Sequence, residues 1–340
     1  MSDADPPGVD LARLRTYLDR ELPGTVTGPL TARLVEGGRS NLTYIVDDGS
    51  RRLVLRRPPL GHVLPTAHDM SREYRVISGL HGTPVPVPRA HVLCTDDDVL
   101  GAQFYVMDFV EGSPLRTAEQ LRPRGEERTR AITGRLVDTL VELHAVDPTA
   151  VGLADFGKPD GFLERQLRRW SKQLAASRSR DVPGIDELHE RLAARIPPSP
   201  APSIVHGDYR LDNVLVGTDD RINAVLDWEM STLGDPLTDL ALLLAYSQLH
   251  TLDLDTVSDV GAAPGHPSPD EIADAYTRAS GRDVSDLGWY LGFALFKLAV
   301  ILEGIYYRYS HGQTVGEGFD RIGAGVAPLV ALGNSALKGN

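Results

Sequence analysis

The chain has 340 residues and carries 35 Lys and Arg against 47 Asp and Glu, a net charge of -12 with a sequence pI near 5.3. This length holds two lobes, each with its own core, and the acidic balance leaves no basic footprint for nucleic acid. No apolar run approaches the length of a membrane span, residues 1–7 lack the basic and apolar segments of a signal peptide, and the single cysteine, Cys94, forms no intramolecular disulfide, so the expectation is a soluble cytoplasmic protein without membrane or nucleic-acid partners.

Leu11, Leu14, Tyr17, Leu18 and Leu22 lie near one face at helical spacing, and Pro23-Gly24 ends that helix. Three β-like runs follow at 30–35, 43–46 and 53–56, the last two joined through Asp47-Asp48-Gly49-Ser50. Between the first two lies Glu36-Gly37-Gly38-Arg39-Ser40-Asn41, which suits an ordinary hairpin turn. It equally suits a phosphate, because glycines let backbone N–H groups approach and Ser40 adds a hydroxyl donor. Residues 69–80 read as a helix with Met70, Tyr74, Ile77 and Leu80 on one face, and 90–93 and 104–108 as strands, with Cys94 a buried small hydrophobe.

Beyond residue 114 the pattern is helical. Ile132, Leu136, Leu140 and Leu143 form the buried stripe of a long helix over 126–144, and 159–195 read as helical and heavily charged. The proline-rich run 196–202 breaks the chain, and helices resume over 235–246, about 269–281, 286–310 and after 316.

Between the break and the first of these helices stands His206-Gly207-Asp208, with Asn213 five residues past Asp208 and a strand-like run entering Asp227-Trp228. His and Asp alone could cap a helix or close a turn. In this order they are the parts of a phosphoryl-transfer site. Such a reaction needs a carboxylate to orient and deprotonate the acceptor hydroxyl, which fits Asp208, and oxygen ligands for magnesium, which fit Asn213 and Asp227.

With Gly234-Asp235-Pro236 and Asp239-Leu240-Ala241 downstream, these residues resemble the aminoglycoside phosphotransferase and choline kinase group of the protein-kinase-like fold. The resemblance implies an α+β, bilobal protein: a nucleotide-binding lobe over 1–108 with a small antiparallel sheet and one helix, a hinge over 109–113, and a mainly helical catalytic lobe over 114–340. It places Gly38 and Ser40 over a triphosphate and puts Arg56 where most relatives carry a lysine. No lysine precedes Lys158, and the others are Lys172, Lys297 and Lys338. Glu73 is the implied partner of Arg56, although a solvated surface pair would satisfy the same two residues. The Asp108 carbonyl and Val110 N–H are the implied adenine contacts, with Leu215 beneath the base, and main-chain recognition leaves both ATP and GTP open. Asp235 is the implied brace of the catalytic loop and also reads as a helix cap.

The wording of 37–44, 54–59, 64–68 and 296–306 is similar to kinase-like domains that precede an acyl-CoA dehydrogenase in some proteins, which implies a hydroxyl on an acyl chain carried by coenzyme A as the acceptor. A stripe of Glu303, Tyr306, Tyr307, Arg308 and Tyr309 suits either a pocket for that acceptor or core packing. The acidic residues are scattered, without the cluster that a polycationic aminoglycoside would require. Small-molecule kinase, antibiotic phosphotransferase and non-catalytic nucleotide-binding protein are the three readings the residues leave, with magnesium-dependent transfer as the discriminator. Nothing in the sequence fixes an oligomeric state.

Overall fold

The computed structural model describes residues 5–35, 41–61, 69–252, 258–313, 319 and 321–338. The chain forms two units, Met1–Gly112 with Asn223–Glu229, and Ser113–Ile222 with Met230–Asn340. The expected hinge at 109–113 spans the first break, whereas Asn223–Glu229 groups with the first unit and not with the helical one.

The first unit contains α1 (Leu11–Glu21), β1 (Thr31–Leu34), β2 (Leu42–Asp47), β3 (Arg52–Arg57), α2 (Met70–Leu80), β4 (Ala90–Cys94), α3 (Asp97–Leu100) and β5 (Phe104–Asp108). Its five strands are antiparallel in the order β1-β2-β3-β5-β4. Leu14 and Leu18 of α1 join Tyr44, Leu55, Phe104, Val106 and Cys94 in one apolar cluster, which explains why alternate residues of these strands are large hydrophobes. On α2 the buried face is Met70, Glu73, Val76, Ile77 and Leu80, so a carboxylate lies inside an apolar stripe.

The second unit contains α4 (Ala118–Leu121), α5 (Gly125–Ala145), α6 (Phe162–Ser177), α7 (Ile185–Ala194), β6 (Ser203–Val205) and β7 (Val214–Val216). After β8 (Ile222–Val225), along which the chain leaves this unit, come β9 (Thr232–Gly234), α8 (Leu237–Gln248), α9 (Pro269–Ser280), α10 (Leu287–Ser310) and α11 (Val326–Ala336). The helical stretch expected over 159–195 is two helices, because Pro183 removes a donor and Gly184 takes a left-handed φ of 79° at the head of α7. α3, α4 and β9 are too short to leave a periodic signal.

One expectation about membranes needs correction. α10 is 24 residues long and apolar enough to cross a bilayer, although 72% of its most apolar window is buried inside the protein, where it packs on α6, α8 and α11. It is a core helix whose few polar residues, Lys297 and Glu303 among them, meet partners described below.

α2 starts where the Asp69 side chain accepts the Arg72 N–H at 3.1 Å. Asp69→Ala should therefore cost about 1 kcal/mol, read as a lower urea midpoint with an unchanged slope.

Candidate active site

In the first unit, β3 sets Arg56 in register between Thr43 of β2 and Tyr105 of β5. Its Nε lies 2.9 Å from Glu73 Oε2, with the two side chains only 12% and 2% exposed. The Arg56–Glu73 pair is thus present, and it is buried and not a surface pair. Arg56 Nε has no aligned hydrogen bond, so charge holds this contact. Arg56 Nη2 also pairs with Asp227 Oδ1. Glu73 accepts from Tyr105 Oη at 3.0 Å and from Asn41 Nδ2 at 2.7 Å, and the same Asn41 nitrogen lies 3.3 Å from Glu229 Oε2.

One guanidinium serves two carboxylates here and cannot neutralise both. Burial pushes the more enclosed acid, Glu73, up to about 7, against the opposing pull of Arg56. Burial also acts against the Arg56 cation, but Glu73, Tyr105 and Asp227 outweigh it and hold the pKa above the ordinary arginine value. Asp227 has φ 64°, a left-handed conformation costing a non-glycine residue roughly 1–2 kcal/mol. Next to it, Trp228 is fully buried and donates from Nε1 to the Val225 carbonyl at 3.0 Å, which anchors the turn. Backbone strain of this kind persists where the surroundings over-determine it.

The implied adenine contacts also fall in this unit. Oδ1 of the Asp108 carboxylate is engaged by Arg51 Nη2 and His91 Nε2, each at 2.8 Å. The Val110 N–H has no protein acceptor among the described residues. Gly38 and Ser40 lie outside the described residues.

In the second unit, β6 pairs antiparallel with β9 and delivers the chain to His206. Asp239, on α8 and fully buried, accepts the His206 N–H at 2.6 Å through Oδ2 and the Gly207 N–H at 2.8 Å through Oδ1. His144 Nε2 stands 3.4 Å from the same carboxylate, and its Nδ1 is 2.8 Å from Tyr276 Oη. Burial acts to raise the Asp239 pKa, but His144, His206 and the loop N–H hold it below the usual carboxylate value. The bracing role implied for Asp235 therefore belongs to Asp239, one helical turn on. Asp235 instead accepts the Leu237 N–H at 3.0 Å and Tyr290 Oη at 2.8 Å, the cap half of its two readings.

Gly207 has φ 85°, and a Cβ there would stand 2.7 Å from the Met230 carbonyl oxygen, so only glycine fits. The loop then presents Asp208, whose side chain is 27% exposed. Tyr246 Oη donates to its Oδ1 at 2.9 Å, and Asn213 Nδ2 donates to its Oδ2 at 2.9 Å and to its carbonyl at 2.9 Å. With its nitrogen committed, Asn213 keeps its amide oxygen as the group able to hold a metal. Arg210 lies 4.6 Å over the Tyr246 ring and 3.5 Å from Asp208 Oδ2, and Lys297 Nζ donates to the Gly207 carbonyl at 2.7 Å. Leu215 is half-buried between the buried Val214 and Val216, so it faces the opposite side of β7. Among the described residues no three His, Cys, Asp or Glu side chains converge to cage a metal. Magnesium bound with a nucleotide uses one or two protein ligands and does not need such a cage.

Within the stripe of α10, Glu303 and Tyr306 form a packing joint with Arg180, whereas Arg308 and Tyr309 are exposed. Glu303 is fully buried against Arg180, with Oε2 2.8 Å from Nη2. Arg180 also donates to the Gly323 carbonyl at 2.6 Å and lies 4.2 Å over the Tyr306 ring.

Residues 31–286 match a family of phosphotransferase enzymes. The acyl-CoA dehydrogenase family member 11 of Gallus gallus is 35% identical over 97% of this chain, a match that spans 44% of that protein. The chain thus covers less than half the length of such curated relatives. Among solved structures, one from Ralstonia eutropha, named as a candidate aminoglycoside phosphotransferase, is 34% identical with a TM-score of 0.85, covering 97% of this chain and 98% of that one. An aminoglycoside phosphotransferase in ternary complex with ADP and hygromycin B shares the fold at TM-score 0.61 and 15% identity, covering 95% of this chain and 97% of that one.

The Glu73 position gives a pH test. Its folded pKa lies above the unfolded value of 4.5, so the stability from its neutral form is complete below about pH 4.5 and is lost as pH rises through about 7. Glu73→Gln should flatten that part of the melting temperature's pH dependence, and an unchanged profile would remove Glu73 as its source.

Proposed function

The chain belongs to the phosphotransferase enzyme family, and from that premise we propose that it transfers the terminal phosphoryl group of ATP to a hydroxyl of a small molecule. The observation that carries this reading is Asp208, a partly exposed carboxylate on a loop whose path is set by the fully buried Asp239. In this reading Asp208 orients the acceptor hydroxyl and takes its proton. Asp227 in the first unit and Asn213 in the second provide the oxygen ligands that a nucleotide's magnesium calls for. When bound, that metal would neutralise charge on the phosphates. Arg56 clamps the phosphates in place of a lysine, as a planar fork and not a point charge. Main-chain atoms of Asp108 and Val110 take the base, and Leu215 is the further apolar contact that the family resemblance implies.

For the acceptor we favour a neutral or anionic alcohol, a hydroxyacyl-CoA-like compound among the candidates, over an aminoglycoside. Two features support this: the acyl-CoA chemistry in the names of relatives, and the cations Arg210 and Lys297 that bear on Asp208. A polycation would meet like charge beside the base. The test is ADP release with a panel of hydroxyacyl thioesters, simple alcohols and kanamycin-like polyamines. Transfer should occur within the first two classes and be lost by at least about 100-fold in Asp208→Asn, with magnesium-ATP binding retained. Near wild-type turnover by Asp208→Asn would remove the base assignment, and efficient phosphorylation of a polyamine would return the chain to the antibiotic branch.

One observation favours a second reading, a nucleotide-binding protein without transfer: Arg56 occupies the Asp227 carboxylate directly. Arg56→Lys discriminates. In a kinase it should keep part of the turnover that Arg56→Ala loses and lower the ATP KM toward wild type. Binding of ATP by all three forms with turnover by none supports the regulatory reading.

A further inference from the structure

Only four of the chain's 35 Lys and Arg residues are lysines. Lys158, Lys172 and Lys338 are exposed, as solubilising charges should be. Lys297 is the exception. It stands on α10, the most apolar long helix of the second unit, and its ammonium reaches the loop that carries Asp208.

The geometry is specific. Nζ donates to the Gly207 carbonyl at 2.7 Å and lies 5.6 Å from the centre of the Trp170 ring. The N–H of the same Gly207–Asp208 peptide is 3.2 Å from His206 Nδ1, which accepts it. One residue earlier, the Gly207 N–H is fixed by Asp239. The peptide that enters Asp208 is thus gripped at both ends, and the cation is the grip on its oxygen. Arginine, otherwise the default cation of this chain, would bring five donors to a place that offers one carbonyl, whereas an ammonium is a compact point donor.

The charged groups around Lys297 come from three elements: Asp208 on the loop and Asp239 on α8 favour the ammonium, while Arg169 on α6 opposes it. Part of the residue reaches solvent, yet burial of the ammonium draws its pKa below the ordinary lysine value. A desolvated cation is a costly thing to place in an apolar helix. Its acceptor and its neighbouring anions all belong to the catalytic loop and the carboxylate that braces it.

We propose that Lys297 is a positioning residue for the transfer step: it fixes the Gly207 carbonyl and places a positive charge beside Asp208, so that the carboxylate meets the acceptor in one orientation. The proposal rests on the reading of Asp208 as the base. It predicts mutual electrostatic coupling between the two residues and an effect on turnover that does not run through nucleotide binding.

Because the chain has four lysines, its 13C-labelled lysine side chains give four signals to follow through a pH titration. The Lys297 signal should titrate below the ordinary lysine value, and in Asp208→Asn it should move lower still, because an anion that favoured the ammonium is gone. ADP release from magnesium-ATP with water as the acceptor provides the second measurement. Lys297→Met should lower kcat on the order of 10- to 100-fold with the ATP KM within about twofold. Lys297→Arg should recover part of kcat and lose the wild-type fall at alkaline pH, since a guanidinium does not titrate there. A Lys297 signal that ignores Asp208→Asn, or an alkaline limb unchanged in Lys297→Arg, overturns the proposal. Turnover retained by Asp208→Asn is instead the failure of the base assignment, so the two are read separately.

Discussion

Asp239 is the constraint on which the second unit's chemistry depends. A fully buried carboxylate is tolerable only if its oxygens are filled. Here they are filled by the N–H groups of two successive residues, His206 and Gly207, with His144 behind. That requirement fixes the path of the loop before any substrate is considered. The left-handed Gly207 follows from it, because a chain turned so that consecutive N–H groups face one carboxylate, against the Met230 backbone, has no room for a Cβ. Asp208 is the next residue and inherits a set direction. Phosphoryl transfer asks the protein mainly for orientation and electrostatics, and the loop supplies orientation by being over-determined.

The first unit meets a different constraint. Arg56, Glu73 and Asp227 place one cation among two carboxylates in a poorly solvated setting. Such a cluster is short of positive charge. Removing Glu73 would relieve the excess but leave Arg56 with less to orient it, and removing Arg56 would leave a buried acid uncompensated, which costs about 3–5 kcal/mol for pairs of this kind. The cluster is therefore weak ground for stability and good ground for binding. Asp227 is the more exposed of the two acids and sits in a left-handed backbone conformation.

Much of this was legible in the sequence because its signals are local. The runs that became β2, β3, β5, α2 and α10 were placed within a residue or two, since side chains alternate on strands and recur at helical spacing on helices. His206, Asp208, Asn213 and Asp227 stand in a fixed order that spacing alone reveals. The brace was assigned to Asp235 instead of Asp239 because both sit at the head of one helix, one turn apart, and spacing cannot say which of them faces the loop. Tyr246 and Lys297 lie 38 and 90 residues from the atoms they hold. No window of sequence contains such pairs. The one available signal was a misfit: Glu73 in an apolar helical face, and a lysine within the longest apolar helix of a chain that otherwise uses arginine.

Those misfits share a cause. A charged side chain on a buried stripe is unfavourable unless a particular partner waits for it, so each marks a point where local preference yields to a distant contact. Glu73 finds Arg56, Tyr105 and Asn41. Lys297 finds the Gly207 carbonyl. Glu303, on the same helix, finds Arg180 and yields a packing joint. The difference between the last case and the first two lies in what the partner carries. Arg180 ends on a carbonyl and a tyrosine ring, whereas Arg56 leads to a half-exposed Asp227 and Lys297 to a half-exposed Asp208. Exposure alone does not separate them, since Arg180 is itself 34% exposed; a buried charge becomes a functional signal when its chain of contacts ends on a carboxylate that a substrate can reach, because there the energy spent on desolvation sets the geometry of a group able to take a proton or hold a cation.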